Sequence, residues 1–237
     1  MDRWNALAGY RGLRDPQVRR HFNGTFLAFE AKGWGPNQEL MTNLDLRYDV
    51  AYLGADRAAD AIRARLDAGL REAVEQMFEI MYESQGIGLA ANQVALPYRL
   101  FVVNCAGRRG AGEEHVFINP VLSRPRGTAV HEEGCLSLPG VRMDVRRPQK
   151  IVVDAWSLEG EPVHLDIDGL LSRVVQHEFD HLEGRLFTDR LPEAAELEVR
   201  WALESFRNVF AGQQSRGEIP GSDALHASLD RLEAARC

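Results

Sequence analysis

The stretch "QHEFDHLEG", residues 176–184, sets His177, Glu178 and His181 in the spacing H-E-x-x-H. On an α-helix, positions i and i+4 lie one above the other, so the two imidazoles converge on one point, as a tetrahedral metal requires. Glu178 lies about 100° further round such a helix. From there it can take a proton from water at the metal without being a ligand itself. A third protein donor is needed, and "EEGCLSLPG" is its best source, because Cys135 stands in a glycine-flanked turn that would present a thiolate from fixed backbone. Taken singly, each feature has a plainer reading. H-E-x-x-H can arise by chance on a charged helix, and a cysteine is more often a small core residue.

The elements that must position these side chains can be read from periodicity. The spacing of Leu66, Leu70, Ala73, Met77, Phe78 and Met81 predicts an amphipathic helix over 61–84, ended near Gly86. An apolar strand follows at Arg99 to Val103. Short β-rich runs, "HVFINPVL", "KIVVDAWSL" and "PVHLDI", suggest an antiparallel meander between 115 and 167. The metal-binding residues fall on a helix with Asp168 as N-cap and Gly184 as terminator. Two more helices are expected, over 193–212 and 223–235. The class is therefore α+β: mostly antiparallel strands packed around a central helix carrying HExxH, with additional N- and C-terminal helical extensions. Residues 1–60 read as an irregular extension of uncertain fold, 61–191 as the catalytic domain and 192–237 as a C-terminal helical extension.

Composition narrows the function classes. With 237 residues, 45% of them hydrophobic, the chain can bury one sizeable core. Its formal charge of -7 offers no basic field for nucleic acid or anionic membrane. No apolar run in the first twenty-odd residues has signal-peptide length, and no later run approaches a membrane span. Three cysteines, Cys105, Cys135 and Cys237, make no disulfide framework. A cytoplasmic protein with reduced thiols is the expectation.

Three blocks in order, "GIGLAANQ" at 86–93, "EGCLS" at 133–137 and "QHEFDHLEG" at 176–184, resemble the peptide deformylases. The resemblance covers roughly residues 65 to 191. It implies one divalent metal ion held by Cys135, His177 and His181 with a fourth position open, Fe2+ being the working ion and Zn2+, Ni2+ or Co2+ able to replace it in preparations. It implies Glu178 as general base and acid, and Gln93 with the backbone N–H of Leu136 as donors to the oxyanion. The backbones of Ile87, Gly88 and Gly134 would pair with an extended peptide, with Glu133 and Arg142 on the same substrate side. An apolar pocket from Ile87, Leu170, Val174 and the stem of Arg173 would take a methionine side chain. The implied reaction removes the formyl group from N-formylmethionyl peptides of newly made proteins and releases formate.

The family's opening segment P-D-x-x-L-R has no clean counterpart. "RDPQVR" at 14–19 lies far upstream, and "DLRY" at 45–48 lacks the prolines. From 193 onward eight acidic residues stand against five arginines, so ribosome association through a basic tail has little electrostatic support. A packing helix or dimer contact suits that tail better. Two alternatives remain at this level: a non-catalytic, deformylase-like peptide-binding protein, and an HExxH zinc peptidase drawing its third ligand from Glu193, Glu196 or Glu198. The second leaves the two upstream blocks without a role. His21, His115, His131, His164 and His226 belong to no motif.

Overall fold

The computed structural model describes residues 68–218 apart from Ala95 and Pro97, with a few positions between 220 and 227. The readings of residues 1–60, of "RDPQVR" and "DLRY", and of most of a helix at 223–235 lie outside the described residues.

Helix α1 (Ala68–Glu83) buries Leu70, Ala73, Val74, Met77, Phe78 and Met81, the three-and-four spacing read from the sequence. It leads into β1 (Gly88–Ala90), a 3₁₀ turn (Ala91–Val94) and β2 (Leu100–Val103). With β3 (His115–Arg126), β6 (Lys150–Trp156) and β7 (Pro162–Asp168) these form a five-stranded sheet in the order β1-β2-β3-β6-β7. Every pairing in it is antiparallel. Between β3 and β6 the chain leaves this sheet to build a separate hairpin of β4 (Ala129–Cys135) and β5 (Leu138–Arg147).

Alternation along β2 assigns the layers. Leu100 and Val102 pack in one cluster with α1, whereas Phe101 and Val103 join a second cluster with Val174, Val175 and Leu182 of helix α2 (Gly169–Leu182). The mixed helix and antiparallel-strand class is thus observed, but the sheet is the middle layer and the helix carrying His177 and His181 covers one of its faces. A third cluster joins Leu138, Val141 and Val145 of the hairpin to Phe187, Leu191 and Val199. Phe187 lies in a 3₁₀ turn (Phe187–Arg190), and Val199 on helix α3 (Glu193–Ser215). The hairpin is therefore held between α2 and the start of the C-terminal extension.

Two details differ from the sequence reading. Asp168 occupies the N-cap position of α2 but makes no side-chain capping bond. Its carboxylate instead pairs with Lys150 Nζ at 2.9 Å across the β6–β7 ladder, where the two residues are register partners. The β4–β5 hairpin went unread, because "AVHEEGC" buries little beyond Glu133 and so lacks an apolar alternation. Gly184 does terminate α2. Its φ of +67° sits at the αL position, its N–H bonds His181 O, and the Arg185 N–H bonds Asp180 O at 2.8 Å. Among the described residues no helix is long and apolar enough to cross a membrane.

Candidate active site

The two histidines sit one helical turn apart on α2, their ring centroids 5.0 Å apart and their planes at 75°. The hairpin brings up the thiol. Cys135 ends β4, and its Sγ lies 3.3 Å from His181 Nε2. Donor atoms of Cys135, His177 and His181 all lie within 4.8 Å of one another. One sulfur and two imidazole nitrogens at this separation fit a zinc- or iron-type ion of borderline softness, with room left for a fourth ligand.

Electrostatics agree with that assignment. Burial alone would push the Cys135 thiol up, but His181 and His177 beside it hold it well below the ordinary thiol range. Burial likewise disfavours protonated His177, yet its bonds to Cys135 and Glu133 raise it to about 9. Glu178 is buried, and that burial pushes its carboxyl up to about 7 despite the two histidines. Its Oε2 has no hydrogen-bond partner. A buried carboxyl oxygen left unpaired beside three metal donors is poised for proton transfer.

These groups face a cleft of about 700 Å³, lined by every residue singled out from the sequence except His181, which is buried behind it. Gln93 stands on the 3₁₀ turn. Its Oε1 accepts from the Ala90 N–H at 2.7 Å, which turns its Nε2 toward Ser137 Oγ at 3.3 Å and His181 Nε2 at 2.9 Å. Leu136 follows the cysteine in the hairpin turn. Val174 is buried, while Leu170 is 52% exposed at the cleft edge. Arg142 is exposed on the rim and pairs with Glu132 at 3.1 Å.

The resemblance sets Glu133 on the substrate side, and it does line the cleft, but its carboxylate is 5% exposed and engaged with buried partners. Arg147 Nε and Nη2 donate to its two oxygens at 2.6 and 2.8 Å, Arg173 donates to Oε1, and His177 Nδ1 lies 3.0 Å from Oε2. Burial would raise this carboxyl, but Arg147 and His177 reverse the effect and lower it to about 2. An ionised Glu133 accepts from His177 Nδ1 and so leaves Nε2 for a metal. Arg147, itself 1% exposed, also donates to Asp180 at 2.7 Å, and Arg190 donates to both Asp180 oxygens. Neither Arg147, Asp180 nor Asn92, whose Nδ2 donates to His181 O at 2.6 Å, was read as functional from sequence. "DVRRP" carries no pattern that distinguishes a buried arginine from a surface one.

A helix-borne H-E-x-x-H joined by a cysteine from a neighbouring hairpin, with a buried glutamate alongside whose Oε2 is unpaired, is a donor set that could hold one metal ion beside a base, the arrangement of a metallohydrolase. Residues 55–196 match the family model described as Polypeptide deformylase. A protein of Rhodopirellula baltica named peptide deformylase is 43% identical over 170 residues, spanning 72% of this chain and 85% of its own. The chloroplastic peptide deformylase 1B of Solanum lycopersicum is 42% identical over 195 residues, 79% of this chain and 69% of its own. A crystal structure of plant peptide deformylase superposes with a TM-score of 0.62 at 38% identity, covering 63% of this chain and 82% of that one. One from Plasmodium falciparum gives 0.60 at 36% identity, covering 62% and 87%. The chain belongs to the peptide deformylase family.

Proposed function

We propose that Cys135, His177 and His181 hold one divalent ion, and that Glu178 beside them drives hydrolysis of the formyl group from N-formylmethionyl peptides, giving formate and a free amino terminus. The family relationship makes the chain an enzyme of this kind. The observation that carries the assignment of roles is the buried Glu178 carboxyl, its Oε2 without a hydrogen-bond partner, next to the three donors.

When bound, the ion would polarise the formyl carbonyl and acidify water. Glu178 takes a proton at Oε2 and returns it to the leaving amine, a double use suited to a carboxyl near 7. Gln93 Nε2, aimed by the Ala90 N–H, and the backbone N–H of Leu136 donate to the oxygen on which negative charge gathers. Ile87, Gly88 and Gly134 offer backbone to an extended peptide, and Leu170, Val174 and the Arg173 stem offer apolar surface to the methionine side chain. A formyl group carries only hydrogen on its outer side, so a tight centre admits it and excludes larger acyl groups. Arg142 at the rim stands where the peptide leaves the cleft.

Fe2+ is the proposed working ion, with Zn2+, Ni2+ or Co2+ as substitutes the same donors accept. A cytoplasmic setting is the reading favoured by the bacterial relatives, whereas the tomato relative is named chloroplastic. A peptide-binding module without activity is not favoured, since no catalytic group is missing. Of the peptidase reading's nominal ligands Glu193, Glu196 and Glu198, the one whose side chain is described, Glu198, lies exposed on α3.

The test is formate release from formyl-Met-Ala-Ser by anaerobically iron-loaded protein. Glu178→Ala should lower kcat by about 10²- to 10⁴-fold with metal retained. Fully loaded wild-type protein that releases no formate would overturn the catalytic reading in favour of peptide binding.

A further inference from the structure

The three donors come from two separate elements, the histidines from α2 and the thiolate from the tip of the β4–β5 hairpin, so something must fix one element against the other. Arg173 lies outside all three sequence blocks, one turn before His177 on α2, and is 8% exposed. Its Nη2 donates to Ala129 O at 2.9 Å and its Nη1 to Val145 O at 3.0 Å, carbonyls on β4 and β5 respectively. Nη1 also donates to Glu133 Oε1. A single guanidinium thus grips both strands of the hairpin and the carboxylate that orients His177.

We propose that Arg173 is a positioning residue that sets the Cys135-bearing hairpin against the histidine-bearing helix and thereby fixes the geometry and affinity of the metal centre. This rests on the metal centre proposed above. The leverage is geometric. Ala129 and Val145 lie toward the open end of the hairpin, where Ala129 pairs with Arg147 and Val145 with His131, whereas Cys135 is at the tip. Six residues of strand at about 3.3 Å each place the sulfur about 20 Å along β4 from Ala129. A tilt of about 3° at the base would therefore move the sulfur by about 1 Å, several times the roughly 0.2 Å tolerance of a metal–ligand distance.

Arg173 also completes the acceptor side of the site. Glu133 Oε1 receives Arg147 Nε and Arg173, while Oε2 receives Arg147 Nη2 and His177 Nδ1, two donors on each oxygen. With both oxygens saturated the carboxylate is held in one orientation, and the His177 ring with it. The three acceptors of Arg173 lie on the two strands of the hairpin, Ala129 and Glu133 on β4 and Val145 on β5, and the planar fork of arginine spans them. A lysine ammonium, a point donor on a flexible stem, does not.

The test uses full-length protein loaded with Co2+, reading the thiolate-to-cobalt charge-transfer band, the Co2+ dissociation constant by chelator competition, and kcat and KM on formyl-Met-Ala-Ser at saturating metal. Arg173→Lys and Arg173→Met should weaken Co2+ binding by roughly tenfold or more, shift the thiolate band and lower kcat; any rise in KM reports the stem's place in the methionine pocket and comes in addition to these. Arg99→Met is the control for simple loss of a half-buried ion pair on α2, since Arg99 binds Glu183 at the end of that helix. It should lower thermal stability and leave Co2+ affinity as in wild type. If Arg173→Met does not fold, Arg173→Lys carries the test. Wild-type affinity in the Arg173 variants, a change in KM alone, or an equal affinity loss in Arg99→Met overturns the proposal. Wild-type protein with no thiolate–cobalt band overturns the metal centre itself, a result distinct from the other three.

Discussion

A β-carbon on Gly88 would lie 2.4 Å from Oε1 of Glu178 and 2.8 Å from Cγ1 of Val174. Both are packed groups of α2, so the missing side chain of Gly88 is the space in which the proposed base rests. Gly88→Ala should displace the Glu178 carboxyl and lower kcat by about 10²-fold, the scale of an ångström misplacement. Metal content by elemental analysis should be unchanged. Wild-type turnover in this variant would show that the carboxyl relaxes freely, against the packing described.

Arg147 sits between two carboxylates and is 1% exposed. Arg147→Met would leave Glu133 and Asp180 buried with fewer partners, and removing one side of such a network destabilises by about 3–5 kcal/mol. Urea unfolding of the full chain should show that loss. Adding Glu133→Gln to Arg147→Met should recover part of it, because the stranded charge is then gone.

Acid should undo the same network in a defined window. Glu133 titrates at 4.5 when unperturbed and at about 2 in the fold, so the unfolded chain binds its proton first as pH falls. The stabilisation is complete above about pH 4.5 and is lost between there and about pH 2, with a span of roughly 3 kcal/mol. Unfolding free energies measured down this range should fall more steeply for wild type than for Glu133→Gln. Parallel curves would remove Glu133 as the source.

The two described cysteines should differ in reactivity. Cys135 is held as a thiolate by His181 and His177, whereas burial pushes the Cys105 thiol up. Iodoacetamide at pH 6.5 should therefore modify Cys135 of chelator-treated protein well before Cys105, with sites identified by mass spectrometry. Added Zn2+ should protect Cys135. Equal rates, or no protection, would contradict the donor assignment.

What could be read from sequence divides along the range of the interaction. Helix α1 and the His177–His181 pair were legible because their periodicity is local, and each apolar or donor position recurs within one or two turns. Cys135 was reachable through its glycine-flanked turn. The ionic partners of Glu133 were not legible, because Arg147, Arg173 and His177 lie 14, 40 and 44 positions away and nothing near it signals which way its side chain turns. The hairpin that organises those contacts was missed for a related reason. Its strands are stabilised by a buried ionic cluster, which leaves no hydrophobic alternation in "AVHEEGC". Asp168 looked like a helix cap by composition, but pairing of β6 with β7 placed Lys150 opposite it, and that contact took precedence.

The split of the donors between hairpin and helix also bears on when the enzyme becomes competent. Cys135 emerges during synthesis well before His177 and His181, and each element alone offers a single sulfur or a pair of imidazoles. Neither fragment makes a strong chelate, so a growing or truncated copy has little hold on the ion. With the proposed donor set, metal capture would therefore follow docking of the hairpin against α2, and activity would arrive only with the finished fold.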